Sequence, residues 1–181
     1  MVRTGVWKTA RHKGRLEMLV IRAATLDDVD AITEIYNDAI VKTVATFDTT
    51  PKRQEEQERW FKARGGMYPI LVAEQDHRIM GWAALSQWSD RCAYAETVEI
   101  SLYVRESHRG QGIGRRLLHA IIDEGRKAHV HTVIARIADG NRASIHLHES
   151  EGFRHIGVMR EVGRKFGRLL DVYLMQLLYT D

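Results

Sequence analysis

The sequence predicts an α/β protein built on a mixed sheet, with elements in the order β-α-α-β-β-β-α-β-α-β-β. Three observations predict it. Val98-Glu99-Ile100-Ser101-Leu102-Tyr103-Val104 alternates from side to side and carries β-branched and aromatic residues, the pattern of a strand. Directly beyond it, Ile113, Leu117, Leu118, Ile121 and Ile122 recur at helical spacing with no proline to interrupt them. Past that helix, Thr132-Val133-Ile134-Ala135-Arg136-Ile137 is again a strand, and a crossover helix between two strands sets them parallel.

The remaining elements follow in order. Leu19-Val20-Ile21-Arg22-Ala23 reads as the first strand. Thr25 is the expected N-cap of a first helix, with Asp27 and Asp28 in the favourable first turn and Val29, Ile32, Ile35, Tyr36, Ala39 and Ile40 as its buried stripe. A polar stretch from Thr46 to Pro51 leads to a second helix carrying Trp60 and Phe61, which Gly65-Gly66 stops. Ile70 to Ala73 and Ile79 to Leu85 flank the polar turn Asp76-His77-Arg78 and make a β-hairpin. A polar loop from Gln87 to Ala95 precedes the central strand. Asn141 opens a short helix that ends at Gly152. Gly157-Val158 and Val172-Tyr173-Leu174-Met175 belong to two last strands joined around Lys165-Phe166-Gly167.

Composition bounds the class. With 181 residues, 44% hydrophobic and 28% charged, the chain fits one ordinary globular domain, expected over residues 18–181. No apolar run approaches the roughly 20 residues that span a bilayer, so no membrane partner is expected. One cysteine, Cys92, excludes an internal disulfide and suits a reducing cytoplasm. The net charge of +3 is unevenly spread. Residues 1–17 carry Arg3, Lys8, Arg11, Lys13 and Arg15 against Glu17, leaving 22 basic and 23 acidic residues in the remainder. The body therefore offers no electrostatic case for nucleic acid. The basic lead is aperiodic and is expected to be a disordered extension, with Met18 a candidate natural start or the lead a basic arm for an acidic partner.

Chemistry concentrates where the central strand hands over to its helix, at His108-Arg109-Gly110-Gln111-Gly112-Ile113-Gly114-Arg115-Arg116. Glycine permits positive φ and bare backbone. The first amides of a helix lack intrahelical acceptors and sit at the positive end of its dipole, where phosphate oxygens bind. A Walker loop is excluded, because no Gly-Lys-Ser/Thr follows. The dinucleotide fingerprint is excluded as well, because the glycines fall at 110, 112 and 114 with Arg115 in the last position. What remains is a pyrophosphate cradle or a ligand-free glycine turn.

Arg109-Gly110-Gln111-Gly112-Ile113-Gly114 resembles the pyrophosphate loop of the GNAT superfamily of acyl-CoA-dependent N-acyltransferases. Asn141-Arg142-Ala143-Ser144-Ile145-His146-Leu147-His148 with Gly152-Phe153 resembles the second signature of that superfamily. The resemblance extends from Ile21 to Leu178, and Ile35 to Ile40, Ala45 to Thr49, Tyr68-Pro69, Thr97-Val98-Glu99 and Lys165-Phe166-Gly167 carry it to the phosphinothricin and methionine sulfoximine N-acetyltransferase branch. It implies the GNAT fold, with a mixed, mostly antiparallel sheet and helices on both faces. It also implies acetyl-CoA as co-substrate, a small amino acid or analogue as acceptor, direct attack in a ternary complex, and a homodimer. A peptide or protein N-terminal acetyltransferase, and a non-catalytic acyl-CoA-binding regulatory module, are the alternatives.

The resemblance assigns residues. An ammonium cannot attack a thioester until it loses a proton, and Glu99 is the candidate base, directly or through one water; its bland reading is to neutralise a nearby arginine or bind the substrate ammonium. The superfamily's central strand is bulged, donates an N–H to the developing oxyanion and pairs with the pantetheine arm. Those contacts fall to Leu102, Tyr103 and Val104. His148 stands where many relatives have a tyrosine acid; it is a candidate proton donor to the thiolate or a packing histidine. Asn141 is expected on the pantetheine amides, as a helix cap, or both. Arg109 and Arg115 are candidate phosphate partners beside Gly110, Gln111, Gly112, Ile113 and Gly114. Arg91 and Tyr94 are candidates for the acceptor carboxylate, although Ala95-Glu96 replaces the branch's frequent Arg-His and removes positive charge. Lys165, with Phe166, is expected to reach an acceptor site shared between two subunits, or to be a surface hairpin residue. His129, His131, His146 and His148 lack ligand spacing, so no metal is expected, and Cys92 has no base partner.

Overall fold

The computed structural model describes residues 5–8, 18–64 and 67–179. The strands are β1 (Gly5–Lys8), β2 (Met18–Ala23), β3 (Ile70–Gln75), β4 (Arg78–Gln87), β5 (Thr97–Val104), β6 (Thr132–Ala138), β7 (Arg154–Lys165) and β8 (Arg168–Leu178). The helices are α1 (Val29–Lys42), α2 (Gln54–Lys62), α3 (Ile113–Lys127) and α4 (Arg142–Ser150). From β2 onward the order is the expected one. The strands form one sheet in the order β1-β2-β3-β4-β5-β6-β8-β7, antiparallel throughout except for the parallel pair β5–β6.

Both faces of the sheet are covered, as the resemblance implied. In β3 and β4, consecutive apolar residues take opposite sides. Leu71, Ala73, Ala83 and Leu85 join the core beneath α3, where Ile113, Leu117, Leu118, Ile121 and Ile122 pack. Ile70, Val72, Trp82 and Ala84 join the core beneath α1, with Ile32 and Ile35. A strand buried on both sides reads as a continuous apolar run, which is why Ile70 to Ala73 lacks alternation. The turn between β3 and β4 holds Asp76 and His77 at φ 48° and 59°, the left-handed pair a tight hairpin needs.

Three local expectations change. Thr25 is an N-cap as expected, but of a short 3₁₀ turn, Leu26–Asp28, that leads into α1 and not of α1 itself; its N–H and hydroxyl both donate to Asp28 Oδ2, at 2.8 and 3.1 Å. Asp28 also receives both ends of the Arg22 guanidinium at 2.7 and 2.8 Å, and these bonds hold its carboxyl below the usual range despite burial. The last two strands are longer than the sequence indicated, because much of β7 faces solvent and shows no apolar alternation to read. Within the basic lead, Gly5–Lys8 pairs antiparallel with β2, a backbone ladder that leaves no side-chain pattern to read. The rest of the lead expected to be disordered, and the Gly65-Gly66 stop, lie outside the described residues.

Candidate active site

The glycine loop has the geometry its sequence calls for. Gly110 and Gly112 take φ of 75° and 79°, and Gly112 is the N-cap of α3 with no side chain capping it. The first helical bond runs from Arg116 N to Gly112 O at 3.2 Å, so the amides before it point out of the helix without intrahelical acceptors. Ile113 is buried, and Gly114 faces Leu102, Val104 and Leu147, where a β-carbon would sit at 3.4 to 3.8 Å from their side chains. The flanking arginines are partly engaged. Arg109 donates from Nε to Val104 O at 3.2 Å, and Arg115 donates from Nε to Glu151 at 3.0 Å. Gln111 reaches back to Ser107 O at 3.3 Å.

Beside this loop, the central pair of strands comes apart. β5 and β6 are paired only from Thr97↔Thr132 to Glu99↔Ile134, and beyond that point the ladder ends. On the other side, β5 stays in unbroken register with β4 from Val98↔Gln87 to Val104↔Gly81. The bulge expected from the resemblance is therefore absent; the opening comes from the splay of β6. Thr97 O and Arg105 N both bond toward β4, which fixes the alternation between them. The N–H and C=O of Leu102 and Val104 thus face the opened side, while those of Tyr103 face β4. Of the three expected backbone contacts, two have the orientation to serve.

The splay makes a cavity of about 500 Å³, lined by Glu99, Ser101, Leu102 and Tyr103 from β5, Ala135 to Ala138 from β6, Asn141, Ser144 and His148 around α4, and Tyr36 with the Val44–Asp48 loop opposite. Glu99 stands where the two strands part. Its carboxylate receives Arg136 Nε and Nη2, each at 2.6 Å. Arg136 also lies over the Trp88 ring, 5.8 Å from its centroid. Sequence reasoning passed over Arg136, although it is the only charged residue in an otherwise apolar strand segment.

His148 is 4% exposed, edge-on to Phe153, with Nδ1 donating to Ser144 O at 2.8 Å. Burial pushes its pKa below the ordinary value. A neutral imidazole with its proton on Nδ1 leaves Nε2 as an acceptor. The expected donor role would require an imidazolium that this setting disfavours. Asn141 takes the cap role, its Oδ1 accepting from Ser144 N at 3.2 Å, and it also lines the cavity.

Lys165 is buried, its Nζ donating to Thr46 O at 2.7 Å, and it does not line the cavity. Arg91 and Tyr94 are exposed in the loop before β5 and do not line it either. In their place the structure brings forward Tyr36, whose hydroxyl donates to Asp48 at 2.8 Å and meets Thr46 Oγ1 at 3.0 Å. Burial pushes the Tyr36 phenol up to about 12. Asp48 is further paired with Lys52 at 2.9 Å. The polar run from Thr46 was legible as a loop; that it walls the same cavity as Glu99 was not.

A fold with a parallel pair splayed over a glycine-capped helix defines a class. The family model for the acetyltransferase (GNAT) domain matches residues 21–174, and the chain belongs to that family. Within it, the chain is 42% identical to the L-amino acid N-acyltransferase MnaT of Escherichia coli, over 87% of this chain and 92% of that one. It is 43% identical to the L-methionine sulfoximine/L-methionine sulfone acetyltransferase of Pseudomonas paraeruginosa, with coverage of 87% and 92%. Among solved structures, a phosphinothricin acetyltransferase of Sinorhizobium meliloti in complex with acetyl-CoA superposes with a TM-score of 0.85 at 34% identity, over 88% of each chain. Among the described residues, no group of three or more His, Cys, Asp or Glu is placed to hold a metal, and no helix is long and apolar enough to cross a membrane.

Proposed function

We propose that this chain transfers the acetyl group of acetyl-CoA to the α-amino group of a small amino acid or analogue of the methionine sulfoximine or phosphinothricin type, by direct attack in a ternary complex. The observation that carries the reading is Glu99, standing at the point where β5 and β6 separate and facing the cavity their separation opens. When bound, acetyl-CoA supplies the acetyl group as a thioester, an electrophile that a neutral amine can attack.

The chain's own residues fit both reactants. The bare amides at the start of α3, with Gly110 and Gly112 at positive φ, suit a pyrophosphate. Leu102 offers its N–H and C=O, and Val104 its N–H, on the open edge of β5 to the amides of a pantetheine arm, the Val104 carbonyl already accepting from Arg109; the Leu102 N–H is a donor available to developing negative charge. Asn141 borders the same channel. Glu99 takes a proton from the acceptor ammonium, directly or through one water, and so makes its nitrogen nucleophilic. The Tyr36–Asp48–Thr46 cluster walls the acceptor end, with Lys165 holding the Thr46 carbonyl from behind. His148 packs the thiol end as a neutral imidazole, so we assign the departing thiolate no proton donor from it.

The reading includes a cytoplasmic setting, where acetyl-CoA is supplied, and a homodimer formed through the outer hairpin, which exposes Ile156, Val158, Val162, Phe166 and Leu169. The test is thiol release with acetyl-CoA and a panel of amino acids, methionine sulfoximine, phosphinothricin and short peptides. Turnover of the amino acids and analogues with inert peptides is expected. Turnover of peptides alone would replace the acceptor class.

A further inference from the structure

An α-amino acid arrives in this cavity with two charges, and only one of them is spent in the reaction. The ammonium loses a proton toward Glu99; the carboxylate must still be met, because an unpaired charge in a largely protein-walled cavity is costly. The cations that sequence reasoning offered are elsewhere. Arg91 is exposed outside the cavity and Lys165 is spent on the Thr46 carbonyl. Lys52 is paired with Asp48. Among the described residues that line the cavity, Arg136 is the only arginine or lysine.

Its geometry suits the task. Arg136 bonds Glu99 through Nε and Nη2, the inner edge of the guanidinium, and its side chain remains 50% exposed. That leaves Nη1, and the edge it shares with Nη2, as a second planar fork. A guanidinium can present such a fork bidentately to a second carboxylate while still holding the first. Trp88 lies over the same group and limits its travel. In an α-amino acid, amine and carboxylate sit on one carbon. A carboxylate docked on the outer edge of Arg136 therefore leaves its amine beside the carboxylate held on the inner edge.

Resting on the acceptor class proposed above, we propose that Arg136 is the specificity residue of this site, binding the acceptor's α-carboxylate on its free guanidinium edge while its other edge holds Glu99, so that free amino acids are accepted and their α-carboxamides and peptides are rejected. Arg136 thereby reads the one feature that separates an amino acid from a peptide N-terminus, the carboxylate next to the amine.

The experiment compares methionine sulfoximine with its α-carboxamide as acceptors for wild type, Arg136→Gln and Arg136→Lys, in steady-state kinetics and in calorimetric titration of the acceptor without acetyl-CoA. Wild type is expected to favour the acid by at least tenfold in kcat/KM. Arg136→Gln is expected to lower kcat/KM for the acid about tenfold to a hundredfold more than for the amide, the excess falling mostly in KM and matched in calorimetric affinity, on top of whatever loss the two acceptors share through Glu99. Arg136→Lys, which keeps the charge without the fork, restores part of the preference. If Arg136→Gln lowers acid and amide alike, Arg136 serves Glu99 alone and the inference falls, with the acceptor class intact. If wild type acetylates neither acid nor amide and works on amines with no neighbouring carboxylate, the acceptor class falls and takes the inference with it.

Discussion

Lys165, in β7, donates from Nζ to the carbonyl of Thr46 at 2.7 Å across 119 residues of chain. The bond ties the last hairpin to the loop that closes the acceptor end of the cavity, and Phe47 packs against Gly163 on the same strand. Burial lowers the pKa of the ammonium, with Asp48 acting against that shift. Within one chain, a lysine expected at the acceptor site holds a wall of the cavity from behind.

Replacing Lys165 by Met removes the donor and strands the Thr46 carbonyl. An orphaned polar group of this kind costs about 1–3 kcal/mol. Thermal denaturation is expected to move down accordingly, and KM for the acceptor is expected to rise severalfold as Thr46 and Asp48 lose their fixed position. Acetyl-CoA affinity, measured by calorimetry, is expected to hold. A variant with unchanged KM would free the loop from any dependence on this lysine.

Glu99→Gln keeps the size of the side chain and removes its ability to take a proton. General-base catalysis contributes about 10² to 10⁴ in rate, and a loss of kcat in that range is expected. Acetyl-CoA titrates as before, because the carboxylate lies at the far end of the cavity from the glycine loop. Single-turnover acetylation by the variant at the wild-type rate would remove the assignment.

The glycine loop is open to a sharper test. A β-carbon at Gly112 meets no heavy atom within 4 Å, so Gly112→Ala costs only the strain of φ near 79°, about 1–2 kcal/mol. Gly112→Glu adds a negative charge over the bare amides of α3. Calorimetry is expected to find acetyl-CoA binding weakened modestly in the first variant and abolished in the second; normal affinity in both would exclude the loop as the anion site.

His148 sets a pH dependence. Its pKa falls below the ordinary 6.5 on folding because burial disfavours the charged ring. The unfolded chain therefore takes up the proton first as pH falls. The stability that His148 contributes is complete above about 6.5 and is lost as pH drops toward its lower folded value. Melting temperatures measured from pH 8 to pH 5 are expected to fall more steeply for wild type than for His148→Asn. Parallel curves would show that the histidine titrates alike in both states.

Much of this was legible in the chain, and the limits of legibility are physical. The stripe of α3 and the alternation of β5 were visible because each element buries one face against a neighbour. The glycine loop was visible because φ near 75° at Gly110 and Gly112 needs glycine. Arg136 was not, since its partner lies 37 residues away and the contact exists only where two parallel strands begin to part. Tyr36 was read as helix stripe, correctly, yet its hydroxyl reaches Asp48 at the cavity wall. The assignments of Arg91 and Lys165 rested on resemblance alone, and three-dimensional placement distinguishes a residue near a site from one inside it.

The parting of β5 from β6 divides the molecule's recognition into two kinds. On the proposed reading, one reactant is met by peptide groups and by a helix end, which most side-chain replacements outside Gly110 and Gly112 leave standing. The other would be met by the side chains that line the cavity, Tyr36, Asp48 and Arg136 among them, each a single codon from something else. Such a frame can exchange the amines it modifies over evolutionary time while its source of acyl groups stays fixed.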